Sequence, residues 1–454
     1  MKKFCAFLFL FSVIFISYSQ TDYSDVAVIM NTNSEESVEI GTYFAEQRSV
    51  PEENLIYVDC LDEEIVDTTE FKSIVNQVRT YLDENNLAGS INYLVTTRGI
   101  PVNISYSDVC FDSTGIHCKS LDNKLTLLNS SLTWDLYANN TILNPYFESE
   151  ENFSQQAYDF YLVTRLDGLV VDSVFAMIDK TGPNRPVVKE EANILIDFFH
   201  PDTVLPFFAT QRFEPAIDFL LGNNWNVSFD PDTNLITQMD NLLIYAGLIR
   251  DTNLTAPDYK WIDGSMLMSL LPNSNYSFYY NGNEIDYSLM KLMNSGGSTG
   301  TAYVNPYYWS SNSYDPFQIY SKYLNDTSEM RYNLAESLYS GMRILSGQQV
   351  VIGDPKTSLD IVYAGLTEAE YMSADIRIYP NPGRGIFYLS FNRNLEVKNI
   401  RVYNQFGQRI KEFAPGREID NDIRLDLQDL RSGIYFLKVI PVAGAAITHK
   451  LIIR

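Results

Sequence analysis

Val26-Ala27-Val28-Ile29-Met30 is followed by Asn31 to Ser34, a polar and apolar mixture to about Arg48, and Val50-Pro51. Five consecutive apolar residues suit a strand buried on both faces of a parallel sheet. Asn31 to Ser34 supplies turn and cap residues, and Asn33 with Glu36 approximates a capping box. The helix so begun ends at Val50-Pro51, because the residue before a proline is pushed out of the helical region. Leu55 to Val58 reads as a second short strand. Phe71, Ile74, Val75, Val78, Tyr81 and Leu82 recur at helical spacing, which predicts an amphipathic helix. Ile91-Asn92-Tyr93-Leu94-Val95 is the third strand, ending at Thr96-Thr97-Arg98-Gly99-Ile100-Pro101. This alternation predicts an α/β fold with a doubly wound, mostly parallel sheet.

The pattern continues along the chain. Tyr161-Leu162-Val163-Thr164, Leu242 to Gly247, Thr301 to Pro306 and Gln349 to Pro355 read as further strands, the last with a turn. Leu334, Ala335, Leu338, Tyr339 and Met342 form one helix face. In such sheets ligands bind beyond the carboxyl ends of the strands. That rule makes Thr97, Arg98, Arg165 and Asp167 the candidate pocket. The two arginines either receive carboxylates of a ligand or pair with the chain's own acids, a structural Arg–Asp pair being the plainer expectation.

Charge narrows the partners. The chain carries a formal −24. From Tyr371 to Arg454 there are 13 Lys/Arg against 8 Asp/Glu, and Lys2 and Lys3 add two positives at the start, so the residues between carry about −31. So acidic a domain repels phosphate backbones, which excludes nucleic acid as a partner class. Excess carboxylates make calcium a possible ligand, with a solvated acidic surface the plainer expectation; no other cofactor is expected.

Lys2 and Lys3 precede the short apolar run Phe4 to Ile16, and Ser17-Tyr18-Ser19 offers small residues for cleavage after Ser19. Residues 1–19 therefore read as a signal peptide, and no later segment is long and apolar enough for a transmembrane helix. Export permits disulfides. Cys110 and Cys118 are the possible pair, which leaves Cys60 as a buried thiol behind Leu55 to Val58. No CxxC pair or histidine-rich cluster suggests zinc.

From residue 374 the character changes. Short alternating runs at 375–379, 386–391, 399–403, 423–427 and 433–439, separated by turn residues, predict a small antiparallel β-sandwich. Four pieces are distinctive: Tyr379-Pro380-Asn381-Pro382; Val402-Tyr403-Asn404 with Gly407-Gln408; Leu430 with Ser432-Gly433-Ile434-Tyr435-Phe436; and Lys450-Leu451-Ile452-Ile453-Arg454. Together they resemble the type IX secretion sorting domain of Bacteroidota. The resemblance implies partners in the translocon and sorting machinery, passage through the periplasm, and a secreted or cell-surface location. Pro380, Asn381, Pro382, Gly407 and Gly433 carry the motif.

Runs in the large domain resemble an uncharacterised secreted bacterial family, similar in turn to gingipain-like cysteine peptidases of caspase-like fold. They are Asn33 to Asn54, Tyr93 to Pro101, Ser120 to Asn123, Asn144-Pro145-Tyr146, Arg165 to Gly168, and Asn333 to Glu336 leading to Gly353-Asp354-Pro355. That resemblance implies a histidine base in a Gly-His-Gly run and a cysteine nucleophile shortly after. The chain reads Tyr245-Ala246-Gly247 there, and no cysteine follows Cys118. His117, His200 and His449 are its only histidines. Ser295 to Gly300 lacks the lysine of a Walker loop and is not a nucleophile elbow. The expected organisation is a signal peptide at 1–19, a caspase-like α/β domain at 20–365, a linker at 366–373 and a sorting sandwich at 374–454. The expected role is non-peptidase binding or surface function, with a hydrolase or peptidase using another constellation as the alternative.

Overall fold

The computed structural model describes residues 22–362 and 376–454, apart from 107–110, 113–114, 117, 134, 138–140, 199–203, 231–235, 248–256, 270–291, 293–295, 297–298, 304–313, 326–330, 348, 392–396, 405–408, 414–422 and 442–446. Contacts divide the chain into two units, Met1–Ile361 and Val362–Arg454. Ser19, Cys110, His117, His200 and Gly407 lie outside the described residues, as does the side chain of Cys118, so neither the signal cleavage nor the disulfide pairing is described.

The first unit is built on one ten-stranded sheet. Its strands in chain order are β1 (Val26–Asn31), β2 (Leu55–Val58), β3 (Tyr93–Thr97), β4 (Leu162–Leu166), β5 (Asn193–Asp197), β6 (Asn226–Asp230), β7 (Gln238–Gly247), β8 (Asp258–Ser269), β9 (Thr299–Tyr303) and β10 (Gln349–Ile352). Across the sheet they run β6-β5-β7-β8-β9-β10-β4-β3-β1-β2. Every neighbouring pair is parallel except β9 with β10. The sheet thus has two halves of the same plan. In each, the first strand lies between the second and the third, with the fourth beyond: β2-β1-β3-β4 and β6-β5-β7-β8. The antiparallel step between β9 and β10 reverses the sense of one half, so the carboxyl ends of β1–β4 and of β5–β8 open at opposite ends of the sheet.

Local chemistry explains the elements. All six residues of β1 and all five of β3 and of β4 are buried, as in a parallel sheet covered on both faces. Helix α1 (Glu35–Arg48) follows β1 and α2 (Thr68–Glu84) follows β2. Right-handed crossovers that step outward to β2 and then back to β3 put these helices on opposite faces. Asp67 caps α2, accepting from the N–H groups of Thr69 and Glu70. The expected capping box at Asn33 and Glu36 does not form. The N-cap is Ser34, Asn33 bonds instead to Asp59 and the carbonyl of Cys60, and Glu36 pairs with Arg98. A true capping box sits at α7 (Leu334–Ser340), between Asn333 and Glu336; before it come α3 (Leu121–Leu125), α4 (Val171–Lys180), α5 (Val204–Gly222) and α6 (Pro316–Tyr323). No helix among the described residues is long and apolar enough to cross a membrane.

The second unit holds two antiparallel sheets. One comprises β11 (Ile376–Tyr379), β12 (Ile386–Phe391) and β15 (Ile423–Asp426) in the order β11-β12-β15. The other comprises β13 (Val397–Asn404), β14 (Arg409–Phe413), β16 (Gly433–Pro441) and β17 (Ile447–Ile453) in the order β14-β13-β16-β17. Phe387, Leu389 and Leu425 of the first sheet and Ile400, Val402, Leu437 and Leu451 of the second share one core. His449 lies within this unit, and burial holds its imidazole below the usual histidine range.

Candidate functional site at the carboxyl ends of the first half-sheet

The rule for doubly wound sheets directs attention to the crevice where β1 and β3 part. Here that crevice is filled. The Asn31 amide donates to the carbonyl of Gly99 at 2.8 Å, and its Oδ1 accepts from the N–H of Asn33. Ser37 Oγ, on the first turn of α1, accepts from the N–H of Asn31 and lies 2.6 Å from Thr97 Oγ1. Thr97 in turn donates to the carbonyl of Ile29. Gly99 has φ +88°, and a Cβ there would lie 2.5 Å from Ser34 Oγ, so only glycine lets the β3 loop close over the helix start.

The two arginines lie beside this crevice, and both are committed. Arg165, on β4, is fully buried. Its Nε and Nη2 donate to both oxygens of Asp122, at 2.9 and 2.8 Å. Nη1 donates to the carbonyl of Ile100 and Nη2 to that of Pro101. Asp167 Oδ2 stands 3.6 Å from its Nη1. Arg98 is partly exposed; it donates to Glu36 Oε2 and to the carbonyl of Gly168, each at 2.5 Å, with Asp167 Oδ1 at 3.6 Å. Among the described residues Arg98, Arg165 and Asp167 are therefore brought together as a largely buried ion-pair cluster, with Thr97 beside it bonded to Ser37 and Ile29.

Two neighbours were not singled out by sequence reasoning. Asp122 lies in a run noticed only for its resemblance, and nothing in its local pattern shows that Arg165 needs it 43 residues away. Glu64 sits partly buried above the cluster. Burial, reinforced by Asp167 and opposed by Arg165, pushes its carboxyl up to about 7. Because the folded pKa exceeds the ordinary value of 4.5, the folded state holds the proton longer than the unfolded chain does. Stability from this group is thus lost as pH rises from about 4.5 to about 7. Glu64→Gln removes that loss. The variant's stability advantage over the native chain is expected to be near zero at pH 4, to grow through this window and to level above pH 7, measured by urea unfolding across pH. A flat difference across the same range would refute the assignment.

The thiol at this end is inert. Cys60 is buried just past β2, and burial, with Glu70, Asp62 and Asp59 adding to it, pushes its pKa up to about 12. The position where resemblance expected a histidine base is on the other half-sheet. Ala246 is fully buried there, and a Cβ on Gly247 would lie 1.9 Å from the hydroxyl of Tyr245. Since the halves open at opposite ends of the sheet, the Arg165 cluster and the β7 terminus do not combine into one site. No group of three or more His, Cys, Asp or Glu is placed to hold a metal ion among the described residues.

The other runs noticed for their resemblance are hydrogen-bond nodes as well. Asn144 donates through its amide to the carbonyls of Tyr339 and Met342. Asp354 is fully buried and accepts from Tyr23, Arg48 and the N–H of Lys356. Their spacing in sequence serves the scaffold.

Residues 377–454 match the family model described as the secretion system C-terminal sorting domain. The chain is thus an exported protein of the type IX secretion route, directed to the cell surface or the medium. The tail is the part that engages that machinery. No curated protein matches the chain. A solved structure described as "Structure of Protease" is similar at 8% identity and a TM-score of 0.40, over 94% of this chain and 97% of its own. A likeness that shallow carries no argument about activity.

Proposed function

We propose that the large domain is a caspase-like scaffold without a thiol–imidazole dyad, exported by its tail to act as a binding or surface protein and not as a peptidase. The observation that carries this reading is the closed state of Arg165: both its faces are spent on Asp122 and on two backbone carbonyls. A guanidinium held that way has no geometry left for a substrate carboxylate or an oxyanion. The high pKa of Cys60 and the burial of Ala246 support the same reading. Calcium, drawn by the acidic surface, belongs to the proposal as a possible ligand.

The test is turnover of a broad peptide library by the signal-free chain, with and without calcium, beside Cys118→Ala. No turnover in any condition is the expected result. Turnover abolished by Cys118→Ala overturns the proposal and identifies a peptidase with a displaced thiol. Turnover that survives the substitution also overturns it, in favour of a hydrolase using a different constellation.

A further inference from the structure

The four-stranded sheet of the tail has an outer face unlike an ordinary solvated one. Register places Tyr403 beside Phe436, Phe436 beside Lys450, and Ile434 beside Ile452. These alternate with the buried Val402, Leu437 and Leu451, so they point away from the core. Ile434 is 43% and Phe436 38% exposed. Lys438 follows Phe436 on the same face of β16. The result is an aromatic and aliphatic ridge across three adjacent strands, with lysines at its border. Contiguous exposed apolar surface with a polar rim is the usual mark of an interaction site.

We propose that this face docks the tail onto an acidic surface of the type IX machinery that has an apolar centre. The inference rests on the export reading and names the surface which that reading leaves unassigned. Charge argues for an acidic partner. The tail is net positive, whereas the residues between it and the signal carry about −31. An acidic receptor repels the passenger and attracts the tail, so electrostatics selects the tail at encounter. The ridge then supplies short-range affinity, with Phe436 and Tyr403 as the aromatic anchors such interfaces favour.

The experiment follows export of the full chain by pulse-chase in a bacterium that carries the type IX machinery. Lys438→Glu with Lys450→Glu is compared with Arg384→Glu and Arg431→Glu, which change net charge equally but lie at exposed positions off the ridge. The expected result is about a tenfold fall in exported fraction for the lysine pair and less than about a twofold change for the arginine pair. Lys438→Gln with Lys450→Gln, which neutralises without reversing charge, falls part of the way. Phe436→Ser lowers export and Phe436→Tyr retains it. Purified variants resist limited proteolysis of the tail as the native chain does, which separates lost docking from lost folding.

Equal falls for the two charge pairs, or no fall for either, overturn the proposal. So does a dimer in sedimentation that Phe436→Ser dissolves while export is kept, since the ridge is then a contact between copies. Removal of residues 377–454 is the reference: if the shortened chain is still exported, the export reading itself fails and not merely the choice of face.

Discussion

Asp122→Ala is expected to destabilise the large domain by about 3–5 kcal/mol, the range for a buried ion pair broken on one side. Arg165 is left fully buried without its bidentate carboxylate, while Asp167 stands 3.6 Å away and is shared with Arg98. The lost hydrogen bond from Thr96 Oγ1 to Asp122 adds to the cost. The measurement is urea unfolding of the chain without residues 1–19. Arg165→Met combined with Asp122→Leu is expected to recover much of the loss, because no lone charge then remains inside. Recovery stays partial, since the carbonyls of Ile100 and Pro101 lose their donors. An Asp122→Ala variant within about 1 kcal/mol of the native chain would mean that Arg165 finds water or another anion. The crevice would then be open, and the proposed non-peptidase role would lose its main support.

Much of the fold is legible in the sequence where one signal dominates. The run at Val26 to Met30 and the helical spacing from Phe71 to Leu82 stand in the structure as β1 and as α2. Both fall in elements with local capping or with strands too short to be helices. The second half-sheet is far less legible. Ile194-Leu195-Ile196 in β5 is a short apolar run, and periodicity alone does not distinguish such a run as a strand from a buried helix segment. Asn226–Asp230 in β6 alternates polar and apolar residues, but over only five positions, and none of them is fully buried. What no local pattern contains is the place of β10. It is the last strand of the ten-stranded sheet in sequence, yet it lies between β9 and β4 and joins the two halves. Its four residues are all buried, which is legible, but its neighbours are chosen by long-range packing.

The site followed a similar division. Position at strand ends points to Thr97, Arg98, Arg165 and Asp167, and the three charged residues do meet. Their use as a pocket depends on what fills the space between them, and that is decided by Asp122 and Gly99. Asn33 shows the same limit on a smaller scale. Its type suits a cap, but Asp59 and the carbonyl of Cys60 offer partners that only the adjacent β2 brings near, and tertiary partners displaced the local one.

Asp354→Ala is the second large effect, again about 3–5 kcal/mol, and it acts through a different part of the domain. Asp354 follows β10 and is fully buried. It accepts from Tyr23 Oη at 2.8 and 3.0 Å and from Arg48 Nε at 2.6 Å. Arg48 ends α1 and reaches onward, donating to the carbonyls of Ile178 and Thr181 at the end of α4. One carboxylate thus ties the segment before β1, the ends of two helices and the turn after β10. Burial, then the Asp354 charge, holds the Tyr23 hydroxyl well above the usual tyrosine range, so it donates at any physiological pH. Asp354→Asn keeps an acceptor for Tyr23 but cancels the charge opposite Arg48, and is expected to fall between alanine and the native residue. Hydrogen exchange distinguishes this loss from a general one: the amides of Val26 to Met30 and of Gln349 to Ile352 should lose protection before those of β7. If alanine and asparagine cost the same, the acceptor kept for Tyr23 is immaterial and the charge opposite Arg48 is what counts. If neither changes the unfolding midpoint, the Gly353-Asp354-Pro355 turn is no clamp.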